Sequence, residues 1–152
     1  MFYIWFGLTL HKTEFMPYFS IIVPVYNRVD EVRDLLDSLS QQTSSDFEVV
    51  IVEDGSSVRC DGVVKEYSEK ISIQYFYKEN EGRSIARNYG LERATGEYFL
   101  FFDSDCVIPP EYIATLKSAL DANYTDCFGG PDSAHSSFTD TQKAINYSMT
   151  SF

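Results

Sequence analysis

Four short apolar runs, rich in β-branched and aromatic residues, alternate with four segments of helical periodicity along this chain. The runs predict strands at 19–25, 47–52, 71–77 and 97–102, and the segments between and after them predict helices at 30–39, 60–70, 82–94 and 109–120. Parallel strands need long crossover connections, usually helices, so this alternation favours a parallel sheet. We therefore predict an α/β fold with a doubly wound, mainly parallel sheet and helices on both faces.

Composition narrows the class of protein further. The chain has 152 residues, 44% of them hydrophobic, which is typical of one globular domain. Its formal net charge of −11 argues against a surface that binds nucleic acid or anionic membranes. The three cysteines are odd in number and have no CxxC spacing. They therefore predict reduced thiols in a cytosolic setting and no zinc site.

The first residues differ in composition from the rest. We predict that residues 1–16 are an apolar leader or a non-native extension and that residues 17–152 form the domain. The apolar stretch is too short to span a bilayer, and it lacks the basic residues that precede the core of a secretory signal. Met16 is a candidate natural start. The alternative is a strand packed on the edge of the domain.

An acidic pair lies directly after the fourth predicted strand. Asp103, Ser104 and Asp105 follow the run 98–102, which predicts a fully buried strand. Carboxylates at the carboxyl end of a parallel strand face the crevice where such sheets bind ligands. A hard divalent cation bridging to phosphate oxygens would satisfy both carboxylates. The alternative is a solvated acidic turn.

Polar residues also follow the first two strands. Tyr26, Asn27 and Arg28 suit contact with a base or a sugar, although Asn27 has the alternative role of capping the next helix. Glu53 and Asp54 could accept hydrogen bonds from an imide N–H or from ribose hydroxyls. The alternative for this pair is an ordinary acidic turn.

Two arginines lie near the start of the third helix. Arg83 and Arg87 are four residues apart, which places them on one helical face close to the positive helix N-terminus. This arrangement suits phosphate oxygens. A surface salt bridge is the alternative for either arginine.

Taken together, five segments at 20–28, 52–57, 80–90, 94–98 and 102–105 resemble the motifs of the family 2 inverting nucleotide-sugar glycosyltransferases. The resemblance runs from about residue 19 to 110, with the motifs in the family's order and spacing. It implies the Rossmann-like GT-A fold. It also implies that this chain is the amino-terminal, donor-binding part of such an enzyme, incomplete at its carboxyl end.

The resemblance implies roles for particular residues. The implied donor-binding residues are Pro24, Tyr26, Asp54, Arg83, Arg87, Asp103, Ser104 and Asp105. Pro24, Tyr26 and Asp54 would line the pocket for the base, commonly uracil. Asp103 would lie near the ribose and the metal, and Asp105 would ligate Mn²⁺ or Mg²⁺ bound to the diphosphate.

The resemblance also implies partners and a location. The expected donor is a nucleotide-diphosphate sugar, and the expected acceptor is a saccharide or a lipid-linked saccharide in cell-envelope or exopolysaccharide synthesis. The general base of an inverting transfer is expected beyond Phe152. We expect a cytoplasmic protein whose membrane association, at the inner membrane, depends on downstream sequence. Its oligomeric state is left open.

Two other classes of protein compete with this interpretation. A non-catalytic nucleotide-sugar-binding module would also carry a donor site without a base. A receiver-like signalling domain shares the doubly wound sheet and acidic strand ends, but it carries its acidic pair after the first strand, where this chain has Tyr26. A dinucleotide-dependent oxidoreductase is disfavoured because no GxGxxG motif follows the first strand.

Overall fold

The computed structural model describes residues 16–129, in which four strands alternate with four helices. The elements are β1 (Phe19–Val25), α1 (Val29–Ser40), β2 (Phe47–Asp54), α2 (Asp61–Tyr67), β3 (Ile73–Lys78), α3 (Arg83–Leu91), β4 (Tyr98–Phe101) and α4 (Tyr112–Ala122). All eight predicted elements are present, with ends that differ by up to three residues. The predictions for residues 1–15 and 130–152 lie outside the described residues.

The sheet is parallel and has the strand order β3-β2-β1-β4. Alternate residues of β1 point to opposite faces, so Ile21 packs with α1, α2 and α4 while Ile22 packs with Ala86 of α3. The strands β1 and β2 are buried along their whole length, because helices cover both faces. The predicted doubly wound α/β fold is therefore confirmed.

Pro24 lies inside β1, a central strand, although proline cannot donate to a ladder. The carbonyl of Ile22 faces β4, where it accepts a hydrogen bond from the Phe102 amide at 3.2 Å. Backbone groups two residues apart face the same side, so the missing N–H of Pro24 also points toward β4. The last paired residue of β4 is Phe101, opposite Ile22. Pro24 therefore lies beyond the ladder between β1 and β4 and removes no hydrogen bond from that ladder, while it remains within the register of β1 and β2.

The prediction that the run 98–102 is a fully buried strand is wrong. Leu100 is buried, but Phe99 is 43% exposed and Phe101 is 49% exposed. Within residues 16–129, β4 lies at the edge of the sheet, and the helix on that face, α3, packs on β1 and β2. Among the described residues, the larger hydrophobic core covers the face of β4 that carries Leu100.

Gly90 sets the close approach of α3 to the sheet. A Cβ atom at this position would lie 2.7 Å from Cγ2 of Ile22 and 3.2 Å from Cγ2 of Val52, both of which are fully buried. We expect Gly90→Ala to lower the free energy of unfolding by roughly 1–2 kcal/mol, because overpacking outweighs the gain in helix propensity. Urea denaturation measures this change.

The matched control for this prediction is Gly62→Ala in α2. A Cβ atom there meets nothing within 4 Å, so we expect a gain of about 0.5 kcal/mol. The two substitutions are chemically identical and differ only in the space available. Equal effects at both positions would contradict the packing argument.

Candidate functional site

The four loops that follow the strands lie together at one end of the sheet, where the carboxyl ends of the strands meet. They begin at Tyr26, Gly55, Glu79 and Phe102 and lie at the carboxyl ends of β1, β2, β3 and β4. Because neighbouring strands run parallel and in register, the loops that follow them are adjacent. The polar clusters that the sequence places after the strands therefore lie together at the carboxyl ends of the strands, as the alternation of strands and helices predicts.

Asn27 joins the loops that follow β1 and β2. Its Oδ1 atom accepts hydrogen bonds from the amide of Ser57 at 2.8 Å and from the Ser57 hydroxyl at 2.9 Å, and its own amide donates to Oγ of Ser56 at 2.8 Å. A φ of 53° lets the side chain turn across the crevice. The alternative that Asn27 caps α1 is wrong, since the N-cap is Arg28 and has no side-chain cap hydrogen bond.

Asp54 joins β2 to the start of α3. Its side chain is almost fully buried, with the residue 3% exposed. Oδ1 accepts hydrogen bonds from Nζ of Lys78 at 2.7 Å and from the Glu81 amide at 3.0 Å, while Oδ2 accepts from the Gly82 amide at 2.8 Å. Burial raises the pKa of this carboxyl, but these donors outweigh burial and hold the pKa below its ordinary value.

Asn80 and Gly55 complete this wall of the crevice. The Asn80 side chain donates from Nδ2 to the Asp54 carbonyl at 2.9 Å. Gly55 adopts a φ of 75°, and a Cβ atom there would lie 2.6 Å from the Asn80 amide nitrogen. The sharp turn and the close backbone approach both require glycine at this position.

Asp54 therefore supports the crevice whether or not it also contacts a ligand. Pro24 is buried within β1, while Tyr26, the first residue of the loop that follows β1, is 54% exposed. An exposed aromatic ring in a loop at this end of the sheet is suited to stacking on a base. That Pro24, Tyr26 and Asp54 line a base pocket stays a prediction.

Arg83 and Arg87 both face the acidic pair. Nη2 of Arg87 donates to Oδ1 of Asp103 at 2.6 Å, and Nη1 of Arg83 lies 3.7 Å from Oδ2 of the same carboxylate. The prediction that the two arginines share one helical face is consistent with this convergence. Their carboxylate partner is Asp103, so α3 and the β4 loop are linked electrostatically. Contact with phosphate stays a prediction.

Asp105 is exposed and lies within electrostatic range of Arg28. The carboxylate of Glu31 raises the pKa of Arg28, and the charge of Asp105 adds weakly to this effect. Ser104 lies between the two carboxylates and is partly buried. The tripeptide forms a turn in which the Cys106 amide donates to the Asp103 carbonyl at 3.2 Å.

The acidic pair of the β4 loop is the candidate ligand set for a divalent cation. Among residues 16–129, no three carboxylate, thiol or imidazole side chains are grouped so that they could hold a metal ion by themselves. Mg²⁺ bound with a nucleotide usually takes only one or two carboxylates and completes its shell with phosphates and water. Asp105 and the neighbouring Asp103 fit a site in which the nucleotide phosphates and water supply the remaining ligands. They do not fit a site built from protein ligands alone.

The sequence profile of glycosyl transferase family 2 matches residues 20–151. The chain belongs to this family. Family 2 membership agrees with the parallel α/β sheet. Family 2 membership excludes the receiver-like signalling domain. Asp54 also disfavours that class of protein, because its buried carboxylate already accepts hydrogen bonds from three donors.

Individual glycosyltransferases show the extent of the similarity. Glycosyltransferase GlyA from Streptococcus pneumoniae is 44% identical over 102 residues, covering 66% of this chain and 15% of GlyA. TarS 1-349 of S. aureus, solved in complex with UDP, has a TM-score of 0.67 and 32% identity over 76% of this chain and 38% of that one. This family 2 chain thus spans less than half the length of these proteins.

A more distant structure shows the fold with a metal bound. The mannosyltransferase PcManGT from Pyrobaculum calidifontis, solved with GDP-Man and Mn²⁺, has a TM-score of 0.62 and 26% identity. The match covers 76% of this chain and 36% of that one. Both structural matches support the GT-A-like fold for residues 16–129. Within that range, no helix is long and apolar enough to cross a bilayer.

Sequence reasoning missed several residues that shape the site. Lys78 is the main example, since the predicted motif began at Asn80 while the partner of Asp54 lies two residues earlier. Glu53 was assigned with Asp54, but it points to the opposite face, where it accepts hydrogen bonds from Tyr75 and from the Cys60 amide. The period of two along β2 is the signal that separates the two acids.

Proposed function

We propose that this chain forms the donor-binding half of an enzyme that transfers a sugar from a nucleotide-diphosphate sugar, with UDP as the nucleotide. The observation that carries the proposal is the convergence of Arg83 and Arg87 with Asp103 beside the exposed Asp105, in a family 2 chain. Cationic and cation-binding groups at one place suit a diphosphate and its metal ion. The UDP complex of TarS supports the choice of nucleotide.

Each part of the crevice has a proposed role. Pro24, Tyr26 and Asp54 border the base, and the ring of Tyr26 offers a stacking surface. Arg83 and Arg87 donate hydrogen bonds to the diphosphate. These groups are held by β-strand ends and by α3, so the crevice is largely pre-formed.

The acidic loop completes the donor site. Asp103 and Ser104 lie toward the ribose, and Asp105 is the first ligand of Mn²⁺ or Mg²⁺. When bound, the cation would offset the charge that develops on the leaving diphosphate. The Mn²⁺ complex of PcManGT supports a divalent cation in this fold.

Transfer with inversion also needs a base that takes the proton of the acceptor hydroxyl. Three carboxylates follow Asp105 in the described part of the chain: Glu111 lies at the N-cap of α4, and Asp126 accepts a hydrogen bond from Tyr124 OH at 2.5 Å. The third, Asp121, accepts a hydrogen bond from Tyr18 OH at 3.3 Å, beside the amino end of β1. Asp121 therefore lies at the amino ends of the strands, whereas the crevice lies at their carboxyl ends. We propose that the base lies outside residues 16–129, and that the acceptor is a saccharide or lipid-linked saccharide of the cell envelope, used on the cytoplasmic side.

Calorimetric titration of UDP with and without Mn²⁺ tests the donor site. We expect the wild-type chain to bind UDP about tenfold more tightly with Mn²⁺. In Asp105→Ala the affinity should be the same with and without Mn²⁺, because the exposed cation ligand is lost.

Glu97→Ala is the control for Asp105→Ala, since Glu97 is an exposed acid immediately before β4, at the amino ends of the strands and away from the acidic pair. It should retain the effect of Mn²⁺. Equal UDP affinity with and without Mn²⁺ in the wild type would contradict the proposed metal site. Failure of the folded wild type to bind UDP, with binding of GDP instead, would overturn the choice of nucleotide.

A further inference from the structure

The contact between Arg87 and Asp103, here called the latch, leaves the arginine incompletely satisfied. Nη2 donates to Oδ1 of Asp103 at 2.6 Å, but Nε of Arg87 is buried and has no hydrogen-bond partner among the described residues. A buried donor without a partner is unfavourable. An anion with several oxygens could accept from Nε and Nη2 together, since the guanidinium presents these donors as a planar fork.

The same contact also restrains Asp103. One of its oxygens is held by Arg87 and the other lies 3.7 Å from Nη1 of Arg83. Asp105, two residues later, has no such arginine contact within the described part of the chain. The two acids of the pair are therefore not equivalent: Asp105 is available to a cation at once, and Asp103 is available only when the latch is broken.

We propose that the latch couples diphosphate and cation at the donor site, which rests on the function proposed above. A diphosphate that takes Arg87 must break the contact with Asp103, and a cation that takes Asp103 must break the same contact. When both bind, the contact is broken once instead of twice. Each ligand therefore strengthens the binding of the other, beyond the direct attraction between metal and phosphate.

Arg87→Met tests the latch through the binding of Mn²⁺ alone. The electron paramagnetic resonance signal of free Mn²⁺ gives the dissociation constant without any turnover. We expect Mn²⁺ to bind Arg87→Met about threefold to fivefold more tightly than the wild type, because a partly exposed ion pair contributes about that factor. The factor by which saturating UDP tightens Mn²⁺ binding should fall by the same amount.

The matched control is Arg93→Met, which removes the same charge near the other end of α3. The Arg93 guanidinium lies over the ring of Tyr89 and donates to its carbonyl at 2.8 Å, away from the acidic pair. We expect its affinity for Mn²⁺ to stay within a factor of 1.5 of the wild-type value. Equal gains in the two variants, or no gain in Arg87→Met, would overturn the latch.

A second measurement removes the acidic side of the contact. In the absence of metal, Asp103→Asn should bind UDP about threefold more tightly, since Arg87 is then released for the diphosphate. Asp105→Asn removes the same charge two residues away but releases no arginine, so its gain should be clearly smaller. Equal gains in these two variants would show simple charge repulsion and overturn the latch.

The outcomes separate the latch from the proposed function. Metal-dependent UDP binding by the wild type, together with no effect of Arg87→Met on Mn²⁺, would retain the donor site and overturn only the coupling. A folded wild type that binds neither Mn²⁺ nor UDP would overturn both. Thermal melting of each variant confirms that the compared chains are folded.

Discussion

Replacing Asp54 by alanine should lower the free energy of unfolding by about 3 kcal/mol. The substitution removes the acceptor of the Glu81 and Gly82 amides, and it also removes a partner of the largely buried Lys78 ammonium. Buried donors left without an acceptor cost more than the hydrogen bonds themselves contributed. Equilibrium unfolding in urea measures the loss.

The control for Asp54→Ala is Asp34→Ala on the exposed face of α1. It should change stability by less than about 0.5 kcal/mol, as surface substitutions usually do. Asp54→Asn keeps one acceptor oxygen and should give an intermediate loss. A loss below about 1 kcal/mol in Asp54→Ala would show that Lys78 and the α3 amides find other partners, and the supporting role given to Asp54 would be wrong.

Loss of the Asp54 contacts should also reach the donor site. The amides that Asp54 accepts from belong to the two residues before α3, and α3 carries Arg83 and Arg87. We therefore expect UDP affinity to fall in Asp54→Ala even at temperatures where the variant is folded. Unchanged UDP affinity in a folded Asp54→Ala would show that the Asp54 contacts do not set the positions of Arg83 and Arg87.

Glu48→Ala should lower the free energy of unfolding by about 3 kcal/mol for a related reason. Glu48 is 4% exposed as a residue and lies near the amino ends of the strands. It accepts hydrogen bonds from the Ser20 hydroxyl at 2.7 Å, from the Thr95 amide at 2.7 Å and from Nε2 of Gln74 at 2.8 Å. One side chain thus joins β1, β2, β3 and the segment before β4.

The Glu48 network also predicts a dependence of stability on pH. Burial raises the pKa of the carboxyl, but the hydrogen bonds from Ser20, Thr95 and Gln74 outweigh burial and lower the pKa below its ordinary value. A carboxyl with a lowered pKa contributes stability above the pKa of the unfolded chain and loses it as the pH falls through the folded-state pKa.

The pH dependence provides a second check on Glu48. We expect wild-type stability to fall with acidification below about pH 4.5, and the slope to be shallower in Glu48→Gln, which cannot titrate at this position. Identical slopes in wild type and Glu48→Gln would contradict a lowered pKa for Glu48.

Local sequence patterns determined the element order and the fold class of this protein. The boundaries of β1 were predicted to the residue, because an apolar β-branched run ends at a polar loop. The acidic pair and the two arginines were also assigned to one edge of the sheet from their place in the alternation. These features depend on periodicity within about a dozen residues, which a single sequence records directly.

The tertiary structure alone decided which side chains meet. The run that ends in Phe101 is an edge strand in the described part of the chain because of its place in the order β3-β2-β1-β4, which no local pattern specifies. Likewise, Asp54 forms an ion pair with Lys78, 24 residues later, and Glu48 accepts a hydrogen bond from the amide of Thr95, 47 residues later. The physical reason is that hydrogen bonds and ion pairs depend on distances of about 3 Å between atoms, and packing of distant segments sets those distances.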